Sequence, residues 1–242
     1  MLGLGHGAQT DTVGLAEIFS NNYSLGFDGD DQAVQIDNLA DDLSISAGTY
    51  STWIKCGEMD SSRTILGVFN DSNNFVRLWW YHSLNQFSVT YKRGGNASRA
   101  DANTGSGVLG DGDWHHLAAT WDVGENELKI YHNGQLLDGD ATTTINSSAS
   151  MSTLDKADIG KSSTDAAYWQ GHIDEVSVFD EVVDISVLYN SGSPKDVEFS
   201  SLSGLIGYWR FTEGSGTSAV DESGKGNTGT LENAPSWSGT TP

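Results

Sequence analysis

The stretch from Asp113 to Leu137 reads Asp-Trp-His-His-Leu-Ala-Ala-Thr-Trp-Asp-Val-Gly-Glu-Asn-Glu-Leu-Lys-Ile-Tyr-His-Asn-Gly-Gln-Leu-Leu. Residues 115–121 and 128–132 alternate with a period of two, which indicates two β-strands. The Asn133-Gly134 pair between strands predicts a tight hairpin, because both residues tolerate positive φ. The chain is therefore predicted to be an antiparallel β-protein, and its function has to be argued from sites rather than from strands.

The composition fits one large β-sandwich. The 242 residues include 29 glycines and three prolines, which suit many short turns and argue against long helices. The single cysteine, Cys56, excludes an internal disulfide and favours a buried hydrophobic role. No apolar run approaches the roughly 20 residues that span a bilayer, so we expect no membrane insertion.

The net charge of the chain restricts its partners. With 33 acidic and 12 basic side chains, the formal charge is −21, which disfavours binding to nucleic acid or to anionic membranes. This charge fits an acidic solubility surface, a salty medium or divalent-cation sites. No Lys or Arg precedes Lys55, so the charged region of a secretory signal is missing. We therefore expect a chain that stays inside the cell or leaves it by a route that needs no signal.

The chain divides into three predicted parts. Residues 1–20 form a glycine-rich N-terminal arm, which is either a linker or a docking segment for a partner or sister subunit. Residues 21–192 form the main domain, with one short helix over 182–189, and residues 193–242 form a C-terminal segment. Besides the meander at 113–137, strands are predicted within 22–36, 44–55, 64–70, 74–81, 87–91, 157–160, 171–179 and 205–211.

Several pieces of the sequence resemble the laminin G-like, concanavalin A-like jelly-roll domains. They are Phe27-Asp-Gly-Asp-Asp-Gln-Ala-Val, Tyr50-Ser-Thr-Trp-Ile-Lys, Asp113-Trp-His-His-Leu-Ala-Ala-Thr-Trp-Asp, Leu128-Lys-Ile-Tyr-His-Asn-Gly and Gly171-His-Ile-Asp-Glu-Val-Ser-Val-Phe. The resemblance implies an all-β fold, a two-sheet antiparallel jelly-roll sandwich with one short helix near 182–190.

One piece of the resemblance is displaced. The segment from Gly207 to Leu231 is similar to the segment that usually opens such a domain, yet here it closes the chain. It is either the start of a truncated second repeat or a permuted strand of the same sandwich. A lone piece of about 35 residues cannot bury a core of its own. We therefore expect residues 193–242 to add a permuted strand to the domain at 21–192.

The arrangement, with an arm that begins Met-Leu-Gly-Leu-Gly, resembles jelly-roll structural proteins of marine bacteriophages. This resemblance implies a non-enzymatic structural or decoration component of a virion, in the capsid, tail or fibre, that binds glycans or a host surface. Its partners would be other virion or surface proteins, and the chain would be a homo-oligomer or an assembly component. One alternative is a carbohydrate-binding or adhesion module of a bacterial surface protein, located outside the cell. A third is a glycoside hydrolase or lyase.

Recognisable catalytic motifs are absent from the sequence. The resemblance also includes jelly-roll enzymes that cleave β-glucans. These enzymes carry Glu-x-Asp-x-x-Glu on one strand, and that spacing is absent from this sequence. Asp174 and Glu175 are adjacent, so strand geometry predicts that they face opposite ways and cannot form a carboxylate pair. Gly-x-Ser-x-Gly, Walker-type and His-Glu-x-x-His motifs are absent as well. We therefore expect that the protein is not an enzyme.

Asp-Gly-Asp occurs three times, at 28–30, 111–113 and 138–140. Asp and Gly both favour turns, so each copy is explained by a turn alone. The alternative is calcium, which takes about six to eight oxygen ligands. In relatives, a late-strand Asp and groups near the first strand hold a structural calcium. The resemblance therefore implies a Ca²⁺ site made by Asp174 with Asp28 or Asp30.

Two clusters of rings are candidates for binding. In Trp79-Trp80-Tyr81, alternation sends Trp80 to the opposite face from the other two. Trp79 and Tyr81 are therefore candidates for stacking on a sugar, and a core role is the alternative. His115 and His116 are adjacent, so one is expected to face the core and the other the solvent, without forming a metal pair.

Overall fold

The computed structural model describes residues 20–36, 38–102, 110–136, 141–146, 149–194 and 202–242. These residues form strands and two short helices, α1 (Leu39–Asp42) and α2 (Ile185–Tyr189). The strands are β1 (Ser24–Asp28), β2 (Ala33–Gln35), β3 (Ala47–Lys55), β4 (Arg63–Asp71), β5 (Asn74–Tyr81), β6 (Gln86–Arg93), β7 (Asn96–Ala102), β8 (His115–Asp122), β9 (Glu127–His132), β10 (Gln135–Leu136), β11 (Thr142–Thr144), β12 (Lys156–Ile159), β13 (Gln170–Phe179), β14 (Leu205–Trp209), β15 (Ser218–Ala219), β16 (Gly229–Glu232) and β17 (Ser236–Ser238).

The strands pair into two antiparallel sheets. The first sheet has the order β10-β9-β8-β3-β13-β1-β17, with β11 also on β9 and β14 also on β13. The second sheet has the order β15-β16-β2-β12-β4-β5-β6-β7. The two sheets enclose one large apolar cluster. The predicted jelly-roll sandwich is therefore confirmed.

The opening meander contributes directly to this core. In β8, Leu117, Ala119 and Trp121 are completely buried between the sheets, as the alternation predicts. The Trp121 ring meets Tyr50 of β3 edge-on, with 4.9 Å between ring centroids. A Cβ on the neighbouring Gly48 would lie 2.1 Å from the Trp121 ring. Only glycine fits there, so the sequence of β3 is adapted to the large ring of β8.

The predicted hairpin and helix are both present. Asn133 and Gly134 have φ values of +47° and +73°, which is the backbone that an Asn-Gly hairpin requires. Helix α2 begins three residues later than predicted, where Asp184 accepts a hydrogen bond of 2.9 Å from the Ser186 amide. Its apolar side covers part of the outer face of the first sheet. Helix α1 is a single turn that the sequence did not predict.

The strands after residue 202 pair with both sheets. Strand β14 lies beside β13, β16 beside β2, and β17 beside β1. Strands β1 and β14 share one side of β13, because β1 pairs with Gln170–Ile173 and β14 with Val176–Phe179. The two strands therefore meet end to end near Asp174 and Glu175. The domain boundaries at residues 20 and 192 stay a prediction, and most of the arm lies outside the described residues.

Helices that could cross a bilayer are absent from the described part of the chain. Its longer helix, α2, has five residues, whereas a membrane span needs about 20.

Candidate functional site

The outer face of the second sheet carries a row of aromatic and cationic side chains. Along β5, Val76, Leu78 and Trp80 belong to the core between the sheets. The alternate residues, which include Arg77, Trp79 and Tyr81, consequently project from the opposite face. The structure thus places Trp79 and Tyr81 together on the outer face and Trp80 in the core.

The rings of this row are partly covered by guanidinium groups. The Arg77 guanidinium lies 3.8 Å from the centroid of the Trp79 ring, and that of Arg99 lies 4.6 Å from Tyr81. The two rings are 4.7 Å apart, and Trp79 Nε1 donates to Thr90 at 3.0 Å. Because Trp79 is only 7% exposed, it is not an open platform. The stacking of a sugar on Trp79 and Tyr81 stays a prediction.

A cavity of about 460 Å³ lies beside this row. Its lining comes from β2, from β12 and from the loop that joins β12 to β13. Most of the lining side chains carry hydroxyl, amide or charged groups, and one is aromatic: Gln35, Lys156, Asp158, Lys161, Ser162, Ser163, Thr164, Asp165, Ala166 and Tyr168. These are groups that can exchange hydrogen bonds with a polar ligand.

Ion pairs fix the position of Lys161 in this cavity. Lys161 Nζ lies 2.5 Å from Glu232 Oε2 and 3.4 Å from Asp158 Oδ1. Burial lowers the pKa of Lys161, but the hydrogen bond to Glu232 and the charge of Asp158 outweigh it, so the pKa is raised. The Ser163 hydroxyl donates to the other oxygen of Asp158. Lys161 is therefore charged, and the loop is anchored to the strands of the sheet.

Arg77 links the aromatic row to the cavity. Its Nη1 donates to Asp165 Oδ2 at 3.1 Å, and Asp165 is one of the cavity residues. Burial lowers the pKa of Arg77, and the charge of Asp165 opposes this effect. The row and the cavity consequently form one continuous candidate site.

The predicted calcium ligands are not brought together. Asp28 pairs with Gln170 on β13, four residues from Asp174, which corresponds to roughly 13 Å along a strand. Asp28 instead accepts a hydrogen bond of 2.9 Å from the Asp30 amide, as in a turn, and Asp174 is fully buried. The described residues include no group of three or more His, Cys, Asp or Glu side chains arranged for a metal. The register of β1 on β13 therefore separates Asp28 from Asp174.

The structure describes one of the other two Asp-Gly-Asp copies. Asp111 accepts a hydrogen bond of 2.9 Å from the Asp113 amide, which again is turn geometry. The copy at 138–140 lies outside the described residues.

Calcium binding itself stays a prediction. If an ion closes loops of the folded chain, EDTA is expected to lower the melting temperature by several degrees, because the ion binds only the folded state. Thermal melts with EDTA and with added CaCl₂ measure this shift. Identical melting temperatures in both solutions would contradict the prediction.

The structure corrects the prediction for Asp174 and Glu175. A β-bulge shifts the register of β13 on β3 between Asp174 and Ser177, and Glu175 has a φ of +48°. Val176 returns to the core, so both carboxyl groups lie on the outer face. The prediction that they face opposite ways was wrong, because a bulge interrupts strand alternation. They are only 0% and 5% exposed, so a sugar has no access to this pair.

The prediction for the two histidines was partly wrong. His115 and His116 diverge, but both are buried, at 8% and 0% exposure. His115 contacts Asp111 at 2.9 Å and His132 at 3.0 Å, whereas His116 contacts Ser51 at 2.8 Å. Burial lowers the pKa of His116 to about 3 and that of His132 to about 4. Packing on both faces of β8 explains why neither ring faces the solvent.

Sequence reasoning did not find the cavity. Most of its lining residues lie within 161–168, a polar loop without a recognisable motif between two predicted strands. Arg77 was missed as well, although it lies between two aromatic residues, Phe75 and Trp79, at the spacing of one strand face. That alternation is the signal that could have identified it.

The profile of the Concanavalin A-like lectin/glucanases superfamily (Laminin_G_3) matches residues 28–184. The chain belongs to this family. No curated protein matches the sequence significantly. The match includes six strands of the second sheet, β2, β4, β5, β6, β7 and β12, and the whole polar loop of the cavity. Membership of the superfamily therefore establishes the fold around the candidate site.

Solved structures of similar fold include proteins that bind carbohydrate. A candidate carbohydrate-binding protein from Bacteroides ovatus has a TM-score of 0.64 and 18% identity, and the alignment covers 91% of this chain and 60% of that protein. The CBM40 of Ruminococcus gnavus IT-sialidase bound to α2,3-sialyllactose has a TM-score of 0.55 and 16% identity, with 70% and 96% covered.

A sialidase is also among the similar structures. The NanB sialidase of Streptococcus pneumoniae, as its K499G mutant, has a TM-score of 0.54 and 20% identity, with 72% of this chain and 27% of the enzyme covered. All of these identities are low, so the structures show the shared fold alone. This member of the superfamily has the jelly-roll fold that carbohydrate-binding modules use.

Proposed function

We propose that this chain is a non-enzymatic carbohydrate-binding module and that the sugar binds in the cavity beside Arg77. One observation carries the proposal: a polar cavity of about 460 Å³ opens on the outer face of the second sheet. Helix α2 covers part of the outer face of the first sheet. The similar structures add support, because they include carbohydrate-binding modules.

The chemistry of the cavity suits a saccharide. Sugar hydroxyls donate and accept hydrogen bonds, and the lining offers the amide of Gln35, the hydroxyls of Ser162 and Thr164 and the ammonium of Lys156. Tyr168 adds an aromatic ring, which can pack against the apolar face of a sugar. The volume falls in the range of about 300–1,000 Å³ that is typical of small-molecule sites.

Binding to a glycan array that carries neutral and acidic saccharides tests the proposal. For the strongest array ligand, replacing Tyr168 with alanine is expected to weaken binding about tenfold, since one ring contact of roughly 1 kcal/mol and the wall it forms are lost. Isothermal titration calorimetry measures the dissociation constants. Tyr23→Ala is the matched control, because Tyr23 is exposed and lies outside the cavity. An array without any bound saccharide would refute the proposal.

The virion role expected from the sequence stays a prediction, together with oligomeric assembly and a location on the virion or at a cell surface. The similar structures favour the alternative reading, a carbohydrate-binding or adhesion module. Mass spectrometry of purified particles would check the virion role, and absence of the polypeptide from them would contradict it.

A further inference from the structure

Arg77 has hydrogen-bonding capacity that the described residues do not use. Arg77 is 9% exposed, and its buried Nε has no hydrogen-bond partner among the residues that the structure describes. Asp165 accepts from Nη1 at 3.1 Å. A guanidinium group presents a planar fork of donors, which a carboxylate can fill with two parallel hydrogen bonds. The contact with Asp165 leaves that fork incompletely occupied.

The guanidinium is held rigidly in place. It lies 3.8 Å from the centroid of the Trp79 ring and 5.0 Å from that of Phe75. Stacking of this kind fixes the plane of the fork before any ligand arrives. A buried donor without a partner is costly, so an incoming acceptor that satisfies it gains binding energy.

Asp165 differs from Arg77 in its surroundings. Its side chain is 52% exposed, and it belongs to the polar loop over the cavity rather than to a strand. An exposed carboxylate on a loop is the partner that can leave with little loss of packing. It therefore occupies the place that the carboxylate of a bound ligand would take.

More than half of the Lys and Arg residues of this acidic chain lie on or near the second sheet. The chain has a net charge of −21 and 12 Lys and Arg residues. Seven of these 12 lie on the second sheet or directly after β12: Arg63, Arg77, Lys92, Arg93, Arg99, Lys156 and Lys161. This distribution places more than half of the cationic side chains near the sheet on which the cavity opens.

We propose that the cavity selects an acidic saccharide, whose carboxylate displaces Asp165 and binds the guanidinium of Arg77. This inference rests on the proposed function and deepens it. Asp165 then acts as an internal competitor: its carboxylate binds the Arg77 guanidinium until the carboxylate of a sugar replaces it. The loop of residues 161–168 moves with Asp165, while Lys161 keeps it anchored to Glu232.

The test compares a glucuronate-terminated disaccharide with the corresponding glucose-terminated disaccharide, both titrated by calorimetry. The wild-type chain is expected to prefer the acidic sugar. Asp165→Asn removes the competing charge, so it is expected to raise the ratio of acidic to neutral affinity by about tenfold, as loss of one charged hydrogen bond predicts. Asp165→Ser is expected to give the same direction of change. Higher salt is expected to reduce the preference.

Asp60→Asn is the matched control. Asp60 also contacts an arginine of the second sheet, with 3.1 Å between its Oδ1 and Arg63 Nη2, and its side chain is 88% exposed. It lies outside the cavity, so its variant has the same change in net charge but is expected to keep the wild-type ratio.

The outcomes separate the two proposals. If both disaccharides bind and neither Asp165 variant changes the ratio, the inference about Arg77 is overturned and the proposed function stands. If a 6-sulfated glucose disaccharide binds better than the glucuronate sugar, the carboxylate is the wrong ligand group. If no saccharide binds, the proposed function fails.

Discussion

Replacing Trp209 with alanine is expected to lower the free energy of unfolding by about 3–5 kcal/mol, the usual cost of truncating a buried tryptophan. Trp209 is the last residue of β14, and its ring is completely buried in the core between the sheets. Its Nε1 donates a hydrogen bond of 2.9 Å to the Asn227 carbonyl. A Cβ on Gly207 would lie 2.3 Å from the ring, so the backbone is shaped around this side chain.

This substitution tests whether the C-terminal segment is part of the sandwich. Urea unfolding followed by tryptophan fluorescence and circular dichroism measures the change. Trp237→Ala, in the same segment, is the matched control, because Trp237 is only partly buried against the core. It is expected to cost clearly less. If both variants lose little free energy of unfolding and lose it equally, residues 202–242 contribute little to the stability of the domain.

The meander was predictable because its information is local. In β8 the period of two places Leu117 and Trp121 in the core, and Asn133-Gly134 sets the hairpin by its own backbone preference. These signals do not depend on distant residues. The resemblance to the superfamily then extended the fold to residues whose own pattern was weak.

The bulge at Glu175 was not predictable from the same signals. A strict period of two along β13 would put Ile173, Ser177 and Phe179 on one face, whereas the structure buries Ile173 in the core with Val176 and Val178. A bulge adds one residue to one strand, and its position here follows from where β1 ends and β14 begins along β13. That junction joins residues more than 180 positions apart, which no local pattern reports.

The candidate site was only partly predictable for a related reason. Trp79 and Tyr81 were identified by alternation within one strand. The cavity combines β2, β12 and a loop that follows it, so its existence depends on the strand order of the second sheet. A polar loop with ordinary turn residues carries no sign of which strands it will cover.

The bulge also brings the buried carboxyl groups of Asp174 and Glu175 together, and Arg210 is the one cation beside them among the described residues. Asn21 donates to Asp174 at 2.9 Å, and the Tyr208 hydroxyl donates to Glu175. Arg210 Nε lies 3.7 Å from Glu175, and the same guanidinium lies 3.5 Å from Glu222. Two full charges next to each other in a low dielectric are unfavourable. One guanidinium shared among three carboxyl groups does not neutralise them.

Burial raises the pKa of Glu175 to about 7 from its usual 4.5, although Tyr208 and Arg210 oppose the change. Burial and the charge of Glu175 also raise the pKa of Asp174. Between about pH 4.5 and 7, the folded chain keeps a proton that the unfolded chain has released. The free energy of unfolding therefore falls as pH rises through this window, by on the order of 3 kcal/mol for Glu175 alone.

His116 and His132 act in the opposite direction. The pKa of His116 is lowered from 6.5 to about 3, and that of His132 from 6.5 to about 4. As pH falls below about 6.5, the unfolded chain binds protons that the folded chain cannot, so the free energy of unfolding falls with pH. Between about pH 4.5 and 6.5 the two effects oppose each other, so the stability of the wild-type chain changes with pH less than either effect alone would produce.

Urea unfolding at intervals from pH 5 to pH 8 measures this profile. Glu175→Gln is expected to gain stability relative to the wild type as pH rises from 5 to 8, by on the order of 2 kcal/mol, because the neutral amide carries no charge to desolvate and can still accept from Tyr208. Glu222→Gln is the matched control: its carboxyl is 37% exposed, so its stability relative to the wild type is expected to stay level over the same pH range. A difference in stability between Glu175→Gln and the wild type that stays level from pH 5 to pH 8 would mean that the buried pair ionises without penalty. In that case the bulge would position two ordinary carboxylates, and Arg210 would neutralise both.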